Sequence, residues 1–446
     1  MCEFCDNTYT LSDRQRIQLG KELNIDGVVG KVISQLFSDG KVDDATGNNL
    51  FVTHYEPLKK AVEEGYGKPI VKVEFGTPNY EFLKQLQTNT ATFAMFKSHA
   101  SVKDMAALLK DQDGNLRSRE AFKREALKVD ANYRGNKLDA EYDTAVRSSR
   151  MAANWQKYQA SKKLYPNLKY IRTKAAKPDK DHLAYVGIIR PIDDAFWNAH
   201  YPPNRWRCQC SVEPTDEGAT DIPGNLPPVP AEFAFNSGKT GQVFDINNSD
   251  YIKSVPAKQQ PALIRDAEKY VDKDILKSTP YQPFYKSKTG NEVEVHPAAY
   301  NNSDFDTCAK YARELANLKD GPKKIQILPD LYDKDLRQQF LPDAKGNKNP
   351  DYRIDSKLFD LKNFSNDKPG TSTIQNAIKS AHQQCDGAVL IIPEGYAKDD
   401  AVYNMINQKL SYEAYKDFEL HLKLNGAWQK FTWNQWQEFY KGRAKK

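Results

Sequence analysis

A segment dense in proline and glycine near the middle of the chain constrains the fold more than any other feature. Residues 213–230 hold five prolines and two glycines, and proline both removes a backbone donor and breaks helices and interior strands. The segment therefore predicts a surface linker and not part of a core. A second break at residues 278–280 follows a short helical stretch. We expect two folded units joined by a linker at residues 214–280.

The sequence has different periodicities on the two sides of this linker. Residues 11–165 contain long runs without proline, and apolar residues recur at helical spacing, as at Leu138 and Tyr142. After the linker, short apolar runs alternate with helical patterns, which is typical of an α/β domain. These patterns predict an α+β multidomain protein, with a mainly helical unit at residues 1–213 and a C-terminal α/β unit at residues 281–446.

Composition narrows the class of protein. Of 446 residues, 39% are hydrophobic and 28% are charged, the mean hydropathy is -0.75, and six residues are cysteines, too few for a disulfide scaffold. The longest apolar stretch, residues 388–392, is far shorter than the roughly 20 residues of a transmembrane helix, and residues 1–6 have no signal-peptide pattern. We expect a soluble protein made in a cytoplasm, with no membrane partner. The net charge of +6 permits contact with nucleic acid but does not require it.

Histidine and cysteine residues that suit zinc are concentrated between residues 182 and 210. His182, His200, Cys208 and Cys210 supply the borderline and soft ligands that Zn²⁺ prefers. Both thiols would bind one ion, and the two histidines would complete a tetrahedron. The alternative is that the histidines form hydrogen bonds in a compact loop while the cysteines are small buried hydrophobic residues.

The same region carries several rare residue types in a distinctive order. They are His182, the run Asp193-Asp194-Ala195-Phe196-Trp197 and the run Pro202-Pro203-Asn204-Arg205-Trp206-Arg207-Cys208-Gln209-Cys210. Over about residues 70–215 the chain resembles the phage Mu F-like minor head protein family, also called the phage head morphogenesis domain. Residues 174–181 depart from the family, in which a more basic run often precedes the histidine. The resemblance implies a minor capsid component of the virion, with portal and capsid proteins as partners.

The sharpest chemical pattern lies in residues 349–362. If Asp355 and Ser356 form a two-residue hairpin turn, Asp351 lies directly opposite Asp360. Lys362 then shares the face of Asp360, because side chains alternate along a strand. Opposed carboxylates repel each other, and a divalent cation such as Mg²⁺ removes the repulsion. The two aspartates are therefore predicted to bind Mg²⁺ and, with Lys362, to form the catalytic site of a nuclease.

This pattern is a shortened form of the PD-(D/E)xK nuclease motif, and it leaves alternatives open. An exposed hairpin with solvated charges would look the same, and a three-residue turn would move Asp351 out of line. Glu314 is a candidate third metal ligand and catalytic carboxylate, or else a solvated residue beside Arg313. His296, His382 and His421 would instead serve a metal-independent RNase of the barnase, EndoU or colicin type, although their spacing is more typical of structural histidines.

Three further residues are candidates for substrate binding. Ser372 and Thr373 fit the N-terminal end of a helix, where they would cap it or help to hold a phosphate. Gln384 would form a hydrogen bond with substrate or only with the sheet.

The C-terminal pattern extends beyond the acidic residues. Its parts are residues 349–355, residues 358–362, Ser372-Thr373-Ile374, Ala381, Gln384 and the apolar run 388–392. Over about residues 285–400 the chain resembles the tRNA-cleaving C-terminal toxin domain of contact-dependent inhibition (CdiA-type) proteins. It departs from that family at Asp360, where Glu is common, and at Ser356, which replaces the usual turn Gly. The resemblance implies RNA, and tRNA in particular, as the substrate.

Both resemblances together suggest a phage or prophage minor head protein that carries a C-terminal endoribonuclease toxin. Such a protein would be found in the virion and in the bacterial cytoplasm. An RNase that is not secreted endangers its producer, so we also expect a small, acidic immunity protein as a partner. The alternative is a purely structural, portal-associated head protein whose C-terminal unit is an inactive binding module.

Overall fold

The computed structural model describes residues 25–173, 180–346, 348–364 and 371–443. The chain divides into two compact units, with the boundary between Asp272 and Lys273. The first unit is mainly helical and the second contains a large sheet, so the α+β multidomain architecture predicted from the sequence is confirmed. Within the described part of the chain, no helix combines the length and the apolar character needed to cross a membrane.

Helices α1 to α5 form most of the N-terminal unit. Their bounds are α1 Ile25–Asp39, α2 Asp44–Tyr66, α3 Pro78–Ala106, α4 Arg119–Asn132 and α5 Leu138–Ser161. Helix α2 packs against both α3 and α5. At Gly65 an added Cβ would lie 2.1 Å from the carbonyl oxygen of Val146, so the close approach of α2 and α5 requires glycine at this position.

A small antiparallel sheet follows α5 and frames the cysteines and histidines. Its strands are β1 Asn167–Ile171, β2 Ile189–Pro191 and β3 Ser211–Thr215, in the order β2-β1-β3. Two short helices, α6 Lys180–Leu183 and α7 Phe196–Ala199, lie in the connections. The aromatic side chains of Trp155, Tyr170 and Trp197 are buried between this sheet and α5.

Residues 214–272, which the sequence predicts as linker, pack against the N-terminal unit. They include the short helices α8 Ser237–Thr240 and α9 Asp250–Lys253 and most of α10 Gln260–Ser278. The Asn89 side chain accepts hydrogen bonds from the backbone of Val243 and Phe244 at 2.8 and 2.9 Å. The prolines keep residues 214–230 free of α-helix as expected, but the apolar side chains that follow, including Phe244, are buried.

An eight-stranded mixed sheet forms the centre of the C-terminal unit, in the order β11-β10-β9-β8-β7-β6-β5-β4. Its strands are β4 Gln282–Lys286, β5 Glu292–Val295, β6 Lys324–Ile327, β7 Tyr352–Ile354, β8 Lys357–Asn363, β9 Gly387–Ile392, β10 Glu419–Leu424 and β11 Ala427–Thr432. The helices are α11 Phe305–Ala316, α12 Lys334–Phe340, α13 Thr371–His382, α14 Asp399–Leu410 and α15 Trp433–Arg443.

Helices cover both faces of this sheet. Helix α11 packs on one face, against side chains such as Phe359 and Ile391. Helices α13, α14 and α15 pack on the other face, against side chains such as Leu390 and Leu422. Strand β9 is buried along its whole length because it lies between these two layers.

Candidate functional site

A two-residue turn joins β7 to β8 and determines where the acidic residues meet. Asp355 and Ser356 have φ values of +43° and +78°, which is the conformation of a type I′ hairpin turn. Ile354 pairs with Lys357, and Tyr352 pairs with Phe359. This is the register that the sequence predicts for the turn, but β7 begins at Tyr352, so Asp351 precedes the strand and its predicted pairing with Asp360 is not part of the register.

Asp351, Asp360 and Lys362 come together at this hairpin. The Asp351 N–H donates to the carbonyl of Phe359 at 3.0 Å, and the Asp351 carboxylate accepts from the Leu361 N–H at 2.5 Å. Asp360 is only 4% exposed. The Lys362 ammonium lies 2.9 Å from Oδ1 and 2.7 Å from Oδ2 of Asp360. The hairpin therefore holds two carboxylates and one ammonium side by side.

The surroundings of Asp351 disfavour its charged form. Burial, and next the negative charge of Asp360, raise the pKa of the Asp351 carboxyl well above its ordinary value. The hydrogen bond from Leu361 and the charge of Lys362 act in the opposite direction but do not compensate. These surroundings therefore favour the neutral form of the Asp351 carboxyl.

Two more aspartates lie at the same end of the sheet, and the sequence analysis missed both. Strands β5, β6 and β8 run in one direction and β7 in the other, so the ends of the first three meet the start of β7. Asp304 follows β5, Asp330 follows β6 and Asp351 precedes β7. Their positions after neighbouring strands could have indicated this, because functional side chains often lie at the carboxyl ends of strands.

Asp304 comes closest to the predicted pair. Ligand atoms of Asp304, Cys308 and Asp351 all lie within 4.8 Å of one another. Burial, and next the charge of Asp351, raise the pKa of the Cys308 thiol, which therefore stays protonated at neutral pH. Because Mg²⁺ prefers oxygen ligands, Asp304 and not Cys308 is the third candidate ligand.

Glu314 does not join this group, contrary to the expectation from the sequence. Its carboxylate accepts hydrogen bonds from Lys423 Nζ at 2.5 Å and from Trp428 Nε1 at 3.1 Å. Lys423 pairs across the sheet with Ile391, as does Asn363, so these residues share one face. Lys362 precedes Asn363 and therefore lies on the opposite face, with Asp360.

The predicted substrate-binding residues have different surroundings. Ser372 and Thr373 belong to the first turn of α13. The side chain of Ser372 lies outside the described residues, and Thr373 is exposed. Gln384 is buried, and its side-chain amide donates to the carbonyl and hydroxyl of Ser380 at 2.7 and 2.8 Å. The contacts of Gln384 are therefore with the last turn of α13.

The histidines that would serve a metal-independent RNase have separate structural contacts. His296 Nδ1 accepts from the Ala298 N–H at 3.2 Å, and the His382 ring packs on Tyr415 at 4.3 Å between centroids. His421 Nε2 donates to Glu419 at 3.0 Å. These contacts do not assemble the acid–base pair that such an enzyme needs.

In the N-terminal unit, the structure brings together three of the four predicted zinc ligands. Ligand atoms of His182, Cys208 and Cys210 lie within 4.8 Å of one another. His200 is not among them, contrary to the expectation from the sequence. Its ring stacks on Phe196 at 4.4 Å between centroids, and its Nδ1 lies 3.3 Å from the Phe196 carbonyl. The Tyr185 ring packs against both histidines, 5.3 Å from His200 and 5.9 Å from His182.

Comparisons with known proteins identify two regions of the chain. Residues 100–213 match the family model of the Phage Mu protein F like protein, and residues 348–420 match that of the Contact-dependent growth inhibition CdiA C-terminal domain. No solved structure matches.

Two curated relatives are similar to part of the N-terminal unit. The chain is 29% identical over 76 residues to the putative capsid assembly protein F of Escherichia phage Mu, which is 17% of each chain. It is 37% identical over 59 residues to the Mu-like prophage FluMu F protein of Haemophilus influenzae, which is 13% of this chain and 14% of the relative. The alignments thus span 17% and 14% of the lengths of these relatives. The chain therefore carries a Phage Mu F-like domain at residues 100–213 and a CdiA C-terminal toxin domain at residues 348–420, which confirms the fusion predicted from the sequence.

Proposed function

We propose that this protein is a phage or prophage minor head protein whose C-terminal unit is a metal-dependent endoribonuclease toxin that cleaves tRNA. The observation that carries the proposal is that Asp351, just before β7, lies close enough to Asp360 on β8 for the two charges to interact, with the Lys362 ammonium 2.9 Å from Asp360. Buried like charges at one point of a sheet destabilise a fold, and such an arrangement is typical of a catalytic site.

The side chains at this site fit a divalent cation such as Mg²⁺. Asp304 and Asp351 offer carboxylate oxygens within 4.8 Å of each other, and the charge of Asp360 acts on Asp351. When bound, the cation would polarise a phosphodiester and lower the pKa of a water molecule.

The chain's own residues supply the rest of the chemistry. The Leu361 N–H holds the Asp351 carboxylate in place at 2.5 Å, so this group needs no reorganisation when substrate binds. Lys362 is 30% exposed and can therefore contact both Asp360 and an incoming phosphate. Its ammonium would stabilise the negative charge that develops on the phosphate oxygens during cleavage.

The choice of RNA rests on the resemblance to the tRNA-cleaving CdiA-type domains. A toxin of this kind in its producing cell requires an inhibitor, so a small acidic immunity protein is part of the proposal. The Phage Mu F-like domain, together with a relative named as a capsid assembly protein, supports capsid and portal proteins as partners of the N-terminal unit. The protein would then be located in the virion and, after infection or induction, in the bacterial cytoplasm.

Expression of the full chain in bacteria tests the proposal. We expect the wild type to arrest growth and to shorten tRNA on denaturing gels, and Asp360→Asn to do neither. Glu314→Gln is the matched control, since it changes a carboxylate that lies on the other face of the sheet, and it should be as toxic as the wild type. Equal growth of all three strains with intact RNA would contradict the nuclease function. Cleavage of ribosomal or messenger RNA with intact tRNA would contradict only the substrate.

A further inference from the structure

His182, Cys208 and Cys210 converge from two separate parts of the N-terminal unit. His182 lies in α6, whereas the cysteines lie in the segment that leads into β3. His182 and Cys208 are buried and Cys210 is partly buried. The nuclease proposal makes no use of this cluster, which needs a separate explanation.

The distances within the cluster are those of a tetrahedral zinc site. His182 Nδ1 lies 3.4 Å from Cys208 Sγ and 3.5 Å from Cys210 Sγ. Zinc binds thiolate sulfur at about 2.3 Å and imidazole nitrogen at about 2.0 Å, so two such ligands at a tetrahedral angle are about 3.5 Å apart. The two distances from His182 are therefore those expected of ligands that share one zinc ion, and all three ligand atoms lie within 4.8 Å of one another.

Direct hydrogen bonds account for this arrangement less well. A ring nitrogen has either one proton or one in-plane lone pair, so Nδ1 of His182 cannot form two well-directed bonds, one to each sulfur. A cation between the three atoms satisfies all of them at once. In addition, the Cys210 N–H donates to Cys208 Sγ at 3.4 Å, and such a bond orients and stabilises a metal-bound thiolate.

We propose that His182, Cys208 and Cys210 bind one zinc ion. The ion would tie α6 to the segment before β3. In that segment Arg207 has a φ of +59°, a left-handed conformation that is strained in a residue other than glycine. A bound metal would compensate this strain by fixing the two cysteines that follow Arg207 in the chain. The inference is independent of the proposed nuclease.

The metal content of the purified full chain tests this inference. The chain would carry Asp360→Asn, so that its yield does not depend on toxicity, and would be purified without a metal-chelating tag. We expect about one zinc ion per chain by mass spectrometry of the metal. In Cys208→Ser/Cys210→Ser and in His182→Ala the zinc content should fall at least about tenfold.

Two matched controls separate this site from general metal binding. His200→Ala removes the histidine that the structure excludes from the cluster, and Cys308→Ser removes a buried thiol of the other unit. Both should keep the zinc content of the parent chain. For the parent chain itself, cobalt(II) added after zinc removal should give a thiolate-to-cobalt charge-transfer band, so that the result does not depend on whether a variant folds. A parent chain without zinc and without this band, or equal zinc in the cysteine variant, would overturn the inference.

Discussion

The C-terminal sheet holds carboxylates in two settings that differ in how their charge is compensated: Glu419 on one side, and Asp351 with Asp360 on the other. Glu419 shares one face of the sheet with Phe359, whereas Asp360 lies on the other face, since the register aligns Phe359 with Gly387 and Gly387 with Glu419. Glu419 accepts hydrogen bonds or ion pairs from His421 at 3.0 Å, Lys430 at 2.9 Å and Lys357 at 3.1 Å.

The two groups have opposite pKa shifts as a result. Burial by itself would raise the pKa of Glu419, but the hydrogen bonds from His421 and Lys430 outweigh it and lower the pKa below its ordinary value of 4.5. For Asp351, burial and the charge of Asp360 prevail and raise the pKa. The comparison teaches that burial of a carboxylate does not by itself mark a functional site. What differs between the two is the set of cationic partners, since two lysines and a histidine contact Glu419, whereas Lys362 is the cation whose charge lowers the pKa of Asp351.

The largest expected effect is that of replacing Lys362, the lysine that lies beside Asp360. We expect Lys362→Ala to reduce RNA cleavage by the full chain at least about 100-fold, because the variant loses the ammonium beside the reacting phosphate. Lys430→Ala is the matched control, since this lysine pairs with Glu419, and it should retain cleavage. Initial rates on a labelled tRNA measure both. An equal loss of cleavage in Lys362→Ala and Lys430→Ala would mean that Lys362 has no role in cleavage that Lys430 lacks.

The Glu419 group should instead contribute to stability. We expect Glu419→Gln to lower the free energy of unfolding of the C-terminal unit by about 2 kcal/mol at pH 7, through weaker hydrogen bonds to charged partners. The folded-state pKa of Glu419 is below 4.5, so the wild-type contribution is complete above pH 4.5 and is lost as the pH falls through the folded-state value.

Urea unfolding between pH 3 and pH 7 measures this effect. The difference between wild type and Glu419→Gln should shrink as the pH falls below 4.5. A difference that is independent of pH would show that packing, and not the charge of Glu419, is responsible.

Whether the sequence predicts a contact in these groups depends on how far apart in the sequence the two partners lie. Asp351 and Asp360 were predictable because a two-residue turn fixes their register locally. The partners of Glu314 depend on the packing of distant elements, such as the approach of Lys423 to Glu314. No local pattern contains that information.

Two other features are visible in the sequence: aspartates that follow neighbouring strands, and apolar residues that follow the prolines. Asp304 and Asp330 follow strands that end at the same edge of the sheet. The apolar residues that follow the prolines, such as Phe233 and Phe244, indicated that the supposed linker packs against a core, and both are buried.

The repulsion between Asp351 and Asp360 should lower the free energy of unfolding of the metal-free protein. We expect Asp351→Asn to raise the free energy of unfolding of metal-free protein by about 1 kcal/mol, because it removes the repulsion from Asp360 while Asn still accepts the Leu361 N–H. Mg²⁺ should then stabilise the wild type and not the variant. Asp343→Asn, which loses an ion pair with Arg353, should give no gain. A variant no more stable than the wild type without Mg²⁺ would mean that the site is already compensated.

The smallest expected effect concerns the turn that aligns the two aspartates. Ser356 has a φ of +78°, which glycine adopts without steric cost, so we expect Ser356→Gly to stabilise the C-terminal unit by about 0.5 kcal/mol. Asp355→Gly is the matched control, because the Asp355 carboxylate also accepts from the Lys324 N–H at 3.0 Å and its loss should cancel the gain. If Ser356→Gly stabilises the unit and leaves RNA cleavage unchanged, the turn only sets the register. If cleavage falls as well, the Ser356 side chain has a role at the site beyond the turn, since the wild type and Ser356→Gly have the same backbone conformation.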